Sequence, residues 1–390
     1  MVYLSIEVAH GSTTFRSRDM ISGVITLDWR RTERVSSLSI HLVGESTSTL
    51  GVTRILGLKQ QKKEKHRFLH EEQTITLNSI ASKLDCGRLE RPVNDYGIFP
   101  FRFRLPQSQK CHSCHGKPLE DNDYGCRREF TSYPVDLPPT LGPPTAVVAV
   151  SYYIIAKATF WYKGIRRTLE RTRSIFYWPS QIRSLLDGVA SNNESAAVNA
   201  RAYILGAQSF KLASCEDSTG IAPLVDLSIP AQIILQADFI PDITLSYDTR
   251  RNHSALLPCT LNMSLRVRKL NDNKQDLYLR SISIVLLEFT RFRAGVLTTK
   301  EMVIHPLKSL NQIEDLVFTS SDPIDVINEL DPDMWRQGSL LTEVCPGFTT
   351  CNIQRKYELE IVTGWQCRQA KDSGRVFFVT LRCQANIAYT

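Results

Sequence analysis

Strict alternation of apolar and polar residues is the feature that most limits what this chain can fold into. In "FPFRFRL" (99–105), Phe99, Phe101, Phe103 and Leu105 fall on one side of an extended backbone, and Arg102 and Arg104 on the other. In "ISGVITLDW" (21–29), Ile21, Ile25, Leu27 and Trp29 share a face opposed by Thr26 and Asp28. "VSSLSIHLVG" turns Leu38, Ile40 and Leu42 inward. A two-residue period cannot supply the continuous stripe that a helix needs, so each segment predicts a half-buried strand. "AVVAVSYYIIAKATFWY" (146–162) is apolar on both faces and rich in β-branched and aromatic residues, which predicts a long central strand.

The second half keeps the style. "TLNMSLRVR" (260–268), "LRSISIVLLEF" (279–289), "YELEIVT" (357–363) and "RVFFVTLRC" (375–383) read as strands. Helical signals are few. "SQIRSLLDG" (180–188) has a serine cap, helical spacing and a glycine stop, and "SDPIDVINELDPDMW" (321–335) suits a short helix or turns. Strands with one apolar face are most simply buried as packed sheets, so the fold class is all-β, built as sandwiches. The chain of 390 residues suits two domains. The small polar stretch "ASNNESAAVN" (190–199) marks the junction, giving domains 1–180 and 201–390 around a linker at 181–200. The polar stretch "GLKQQKKEKHRFLHEE" (57–72) reads as a long exposed hairpin loop.

The net charge of +7, from 47 Lys and Arg against 40 Asp and Glu, favours an acidic partner such as an anionic membrane surface. It does not suit a nucleic-acid binder, whose basic residues crowd one face. The opening "MVYLSIEVAHGSTTF" has no charged segment followed by a long apolar run, and no apolar stretch is long enough to span a bilayer. The expectation is a cytoplasmic protein whose ten cysteines are mostly reduced.

The sharpest chemical signal is "KCHSCHGK" (110–117). Cys111 and Cys114, each followed by a histidine, match the string used for haem attachment, which belongs to an exported compartment. Cys111, Cys114, His115 and Cys126 would also make a tetrahedral zinc set, although the second pair lacks the usual spacing. An ordinary loop insertion after Leu105 is the third reading. Other catalytic signatures (G-x-S-x-G, H-E-x-x-H, the P-loop, G-x-G-x-x-G) are absent from the sequence. His41 falls on the polar face of its strand. His66 and His70, four apart, would suit a metal only on a helix. Lys59, Lys62, Lys63, Lys65 and Arg67 form the densest basic run, read either as a solvated loop or as a contact for anionic lipid or an acidic tail. "RRTLERTR" (166–173) reads equally as a solvated face or a partner surface. "PPTLGPP" (138–144) reads as a structural turn rather than a polyproline ligand. Trp161, Tyr162, Tyr177 and Trp178 are expected in the core or between domains.

Several of these segments resemble the arrestin family, in particular its fungal arrestin-like (alpha-arrestin) branch. "FRSRDMISGVITLDW" is similar to the family's opening, with Arg18-Asp19 where Gly-Asp is usual. "SLSIHLVGES", "GIFPFRFRLP" and "LPPTLGPPTAVVAVSYYIIAKATF" follow in family order, and "CPGFTTCNIQRKYELEIVTG" (345–364) resembles the late "PPSFTTxNISRxYEL" element. The resemblance implies two tandem immunoglobulin-like, arrestin-type β-sandwiches acting as a non-catalytic adaptor. Such an adaptor binds cytoplasmic tails or loops of membrane proteins in endocytic trafficking or signalling, and works in the cytoplasm or peripherally at plasma membrane or endosomes. The fungal branch recruits a ubiquitin ligase through Pro-Pro-x-Tyr motifs, and no tyrosine here has a proline two positions before it. No lysine lies in "YLSIEVAHG", where the animal branches place a phosphate-sensing pair. The expectation is therefore an adaptor with no catalytic centre and no cofactor. Two alternatives stay open: an accessory protein without ligase recruitment, and a zinc-dependent protein or enzyme using the 106–136 insertion.

Overall fold

Strands make up nearly all of the described chain, as the alternation requires. The computed structural model describes residues 3–9, 14–28, 34–55, 58–75, 96–106, 137–143, 145–179, 233–237, 242–245, 257–271, 276–340, 344–368 and 376–389. No α-helix occurs among them, and so none long and apolar enough to cross a membrane. The fold is all-β. The chain divides into one unit holding Met1–Ser180 with Thr290–Glu301 and Phe348–Arg355, and a second holding Gln181–Phe289, Met302–Gly347 and Lys356–Thr390.

In the first unit the strands are β1 (Tyr3–Val8), β2 (Thr14–Phe15), β3 (Met20–Asp28), β4 (Arg34–Ile55), β5 (Leu58–Ile75), β6 (Tyr96–Arg104), β7 (Val148–Tyr162) and β8 (Ile165–Tyr177). They form a three-stranded sheet, β1-β3-β6, and a five-stranded sheet, β2-β8-β7-β4-β5. Every pairing is antiparallel except the short β2–β8 contact. The unit has sandwich character. Ile21, Ile25 and Leu27, with Phe99, Phe101 and Phe103, bury the inner face of one sheet, and Leu38, Ile40, Leu42, Ile154 and Ala156 that of the other. Each large side chain hidden in this way contributes about 1.5–3 kcal/mol. The β7–β8 hairpin turns on Lys163 and Gly164, at φ 51° and 71°, the two positive angles that a tight hairpin turn requires.

The second unit is built mainly from β9 (Ile233–Ala237), β10 (Asp242–Leu245), β11 (Leu257–Asn262), β12 (Leu265–Lys269), β13 (Asp276–Ala294), β14 (Leu297–Phe318), β15 (Ile327–Glu329), β16 (Gln337–Leu340), β18 (Ile353–Arg368) and β19 (Val376–Tyr389), while β17 (Phe348–Thr349) falls in a segment of the first unit. The larger sheet runs β14-β13-β18-β19-β10-β11-β16, with β17 beside β18, and the smaller β15-β12-β9. Their buried faces close around Trp335 and Trp365. The rim strand β14 contains Pro306 and exposes Met302, Val303 and Ile304. A proline inside a sheet is tolerated on such a rim because it has no amide hydrogen to give a neighbour.

Three expectations need correction. The stretch 57–72 is not a loop: from Leu58 onward it lies within β5, paired to β4. Their lysines and glutamates suit an edge strand, where charge discourages further pairing, while His66, Phe68 and Leu69 are buried. The run 260–268 is not one strand, since it breaks between β11 and β12, which join different sheets. Of the two readings of 321–335, turns are what is found: the segment holds β15 and a single 3-10 turn (Pro332–Met334) capped by Asp331. Trp161 is 39% exposed, whereas Tyr177 enters the core. Trp29, the helix expected at 180–188 and the linker 181–200 lie outside the described residues.

Candidate functional surfaces

The five-stranded sheet has two polar clusters, one on each side of β4 and β5. On the outer side Glu45 is buried and over-provided with partners. Arg67 donates from Nε and Nη2 to Oε1 at 3.0 Å each, and Lys65 and the Tyr153 hydroxyl meet Oε2. Two of the five basic residues expected as a free patch are thus neutralised. Among the described residues Lys62 and Lys63 remain exposed and make no ion pair; the Lys59 side chain lies outside them.

Further along the same side, His41 is more enclosed than a solvated position would be. Its ring stacks on His70 at 5.4 Å, Ser39 Oγ lies 3.0 Å from Nε2, and Glu72 lies 3.8 Å from Nδ1. Burial lowers its pKa; Glu72 and Glu170 act against the shift, and His70 and Lys157 reinforce it. A histidine whose folded pKa lies below its unfolded value of about 6.5 stabilises the fold above that pH and loses this contribution as pH falls. Melting temperature is therefore expected to drop between pH 7 and pH 5, and less steeply for His41→Gln. Equal slopes would show that His41 is not the group being titrated.

On the inner side of the same strands, Ser46 and Ser48 replace the apolar residues that alternation would supply. Both are fully buried. Asn352 joins them: its Oδ1 accepts from Ser46 Oγ at 2.6 Å, and its Nδ2 donates to Ser48 Oγ at 2.9 Å. Ser48 Oγ also donates to the Arg293 carbonyl. Arg293 closes the cluster, donating its backbone N–H to the Asn352 carbonyl and Nη2 to that of Cys351, both at 2.9 Å, with Nε 3.6 Å from Glu64. Glu64 also meets His66 and the Gly295 amide. Thr350 folds the turn by accepting from the Ile353 amide at 3.0 Å. This network holds Thr290–Glu301 and Phe348–Arg355 in the first unit.

A third feature is β8. Its outer edge meets only Thr14 and Phe15, opposite Phe176 and Tyr177, so Ile165–Ile175 has no ladder partner on that side among the described residues. Ile175 and Tyr177 point into the core. By the two-residue period Arg173, Arg171 and Arg167 share their side, beside buried Ile154, Ala156 and Phe160 of β7, yet all three are exposed. The apolar layer therefore ends in a row of guanidinium groups. Arg167 stacks over Tyr162 at 5.5 Å, while Arg166, Arg171 and Arg173 make no ion pair among the described residues. Glu170, on the opposite face, is taken by Lys157 at 3.1 Å.

The other residues singled out in the sequence fall as follows. Cys111, Cys114, His115 and Cys126 lie outside the described residues, as does the rest of the 106–136 insertion beyond Pro106. His66 and His70 are on opposite faces, because a bulge at Phe68 shifts the β4–β5 register. Pro138 is buried, its carbonyl accepting from Tyr152 Oη at 2.6 Å, so the "PPTLGPP" segment serves the core. Burial pushes the Cys259 thiol up to about 11 and, with Glu358 nearby, the Cys383 thiol up to about 12, which leaves both protonated and unreactive at neutral pH. No group of three or more His, Cys, Asp or Glu side chains is placed to hold a metal among the described residues. The arginine row lies within "RRTLERTR", which the sequence leaves open between a solvated face and a partner surface, and the serine–asparagine cluster carries no sequence signature, since it joins residues some three hundred positions apart. Neither a known protein family nor any curated protein matches the sequence.

Proposed function

We propose that the chain is a non-catalytic, arrestin-like adaptor, two tandem sandwiches that grip an extended acidic segment such as a cytoplasmic tail or loop of a membrane protein. The open edge of β8 carries this reading. A partner strand added there gains backbone hydrogen bonds over about 35 Å, and acidic side chains on one face meet Arg167, Arg171 and Arg173. The spacing implies acidic residues at i, i+2 and i+6 of an antiparallel partner, or i, i+4 and i+6 of a parallel one.

The residues behind the arrestin resemblance have structural work that supports the reading. Arg18 stands at φ 68°, a left-handed conformation that favours the glycine usual there. Thr350 and Asn352, in the segment resembling "FTTxN", build the turn and the buried cluster. In this reading the protein works in the cytoplasm, peripherally at plasma membrane or endosomes. Any ubiquitin ligase is reached without a Pro-Pro-x-Tyr motif.

The test is fluorescence anisotropy with a labelled peptide carrying glutamates at those positions. Binding is expected to weaken with salt, and Arg171→Glu with Arg173→Glu to cost at least about a hundredfold, given two charge-assisted contacts reversed. Backbone N-methylation of the peptide is expected to cost a similar factor. A peptide bound equally well by the double variant, or after N-methylation, would sink the proposal.

A further inference from the structure

The β13–β14 hairpin ends in a two-residue turn, Gly295 and Val296, with Gly295 at φ 66°. Tight hairpin turns favour Gly, Asn and Asp, which hydrate well. Here the second position is Val296, 89% exposed, followed by Leu297 at 39%. Both belong to the first unit. The turn is held rigidly, because the Gly295 amide donates to Glu64. Lys62 lies directly against Gly295: a methyl group added there would come within 2.3 Å of Lys62 Cε. Lys63 follows, exposed and, like Lys62, without an ion pair among the described residues. The acidic side chains nearby do not cancel them. Glu64 is occupied by Gly295, His66 and Arg293, and Glu301 stands four residues along β14 from Leu297.

An uncovered apolar tip beside free ammonium groups suits one surface above others, an anionic bilayer. Its acyl boundary takes the valine and leucine, and its headgroups take the lysines, whose long stems reach to the interface. We propose that the Gly295–Leu297 turn is a lipid-contacting tip, with Val296 and Leu297 entering the interface and Lys62 and Lys63 against anionic headgroups. Among the described side chains this narrows the basic run of 59–67 to Lys62 and Lys63, since Lys65 and Arg67 are engaged by Glu45. The proposal does not depend on the peptide reading, because its test contains no peptide.

The full chain is sedimented with phosphatidylcholine vesicles, with and without phosphatidylserine. It is expected to pellet only with the anionic vesicles. Val296→Asn, which keeps the turn chemistry and adds no charge, is expected to weaken partitioning about fivefold. Val296→Trp is expected to strengthen it, with a blue shift of indole emission on the vesicles. Lys62→Gln and Lys63→Gln are expected to cost about fivefold each. All these side chains are exposed, so melting temperatures should stay unchanged. The proposal is overturned if the parent chain stays in solution. It is equally overturned if Val296→Asn and Val296→Trp partition like the parent while only the lysine variants change.

Discussion

Asn352→Ala is expected to destabilise the first unit by about 3 kcal/mol, a large effect for one small polar side chain. Asn352 is fully buried and uses both ends of its amide, accepting from Ser46 and donating to Ser48. Alanine takes from Ser46 Oγ the acceptor it donates to and from Ser48 Oγ one of its two bonds, the one to the Arg293 carbonyl remaining, and opens a cavity in a place that water does not reach. Each buried polar group left without a partner costs about 1–3 kcal/mol, while the hydrogen bonds themselves contribute less. The loss should extend to Thr350, whose hydroxyl also reaches Asn352 at 3.3 Å, and loosen the segments around Arg293 and Cys351. Urea titration followed by hydrogen exchange at 290–301 and 348–355 checks both parts. Asn386→Ala, which removes only an exposed contact to Asp242, is the comparison and should stay within about 0.5 kcal/mol. If the two variants behave alike, the cluster does not hold these segments.

Trp335→Ala should do still more damage, in the second unit. Trp335 is completely enclosed within the core cluster that also contains Leu265, Leu330 and Leu340, and its Nε1 points at the Met263 carbonyl at 3.4 Å. Large aromatic-to-alanine changes in such places cost about 3–5 kcal/mol, against a total stability of about 5–15 kcal/mol for a domain. The first unit has its own buried residues and does not share this cluster. The expected result is therefore unfolding in two steps, the second unit melting first, where the parent melts later. Trp335→Phe, which fills most of the space, should fall in between. Calorimetry distinguishes the outcomes, and a single transition at the parental temperature would show that the side chain is not packed as described.

Strands were legible wherever one face is wholly apolar. Phe99, Phe101, Phe103, Leu38, Ile40 and Leu42 all bury as alternation requires, because nothing else can satisfy such a pattern. β5 was not legible. Its buried residues are a histidine, a phenylalanine and a leucine among lysines and glutamates, and the bulge at Phe68 breaks the period halfway. The β7–β8 hairpin was hidden because Lys163 occupies a position where Asn or Asp is the usual signal. The polar cluster could not be read at all. Ser46 and Ser48 look like ordinary solvated serines until Asn352 is brought to them, and no local pattern announces a partner so far along the chain. The basic run was legible in composition and misleading in effect, since whether Lys65 and Arg67 are free depends on where Glu45 lies across the sheet.

Pro306 has a consequence for crowding. Among the described residues β14 leaves its far side unmatched, and it carries three bare greasy residues just before the ring, the arrangement from which fibres and sticky oligomers commonly grow. A second chain zipping onto that rim would reach the ring, find no hydrogen to bond, and lose its register within a few residues. One imino acid thus lets the protein keep a long open margin at high concentration without templating copies of itself.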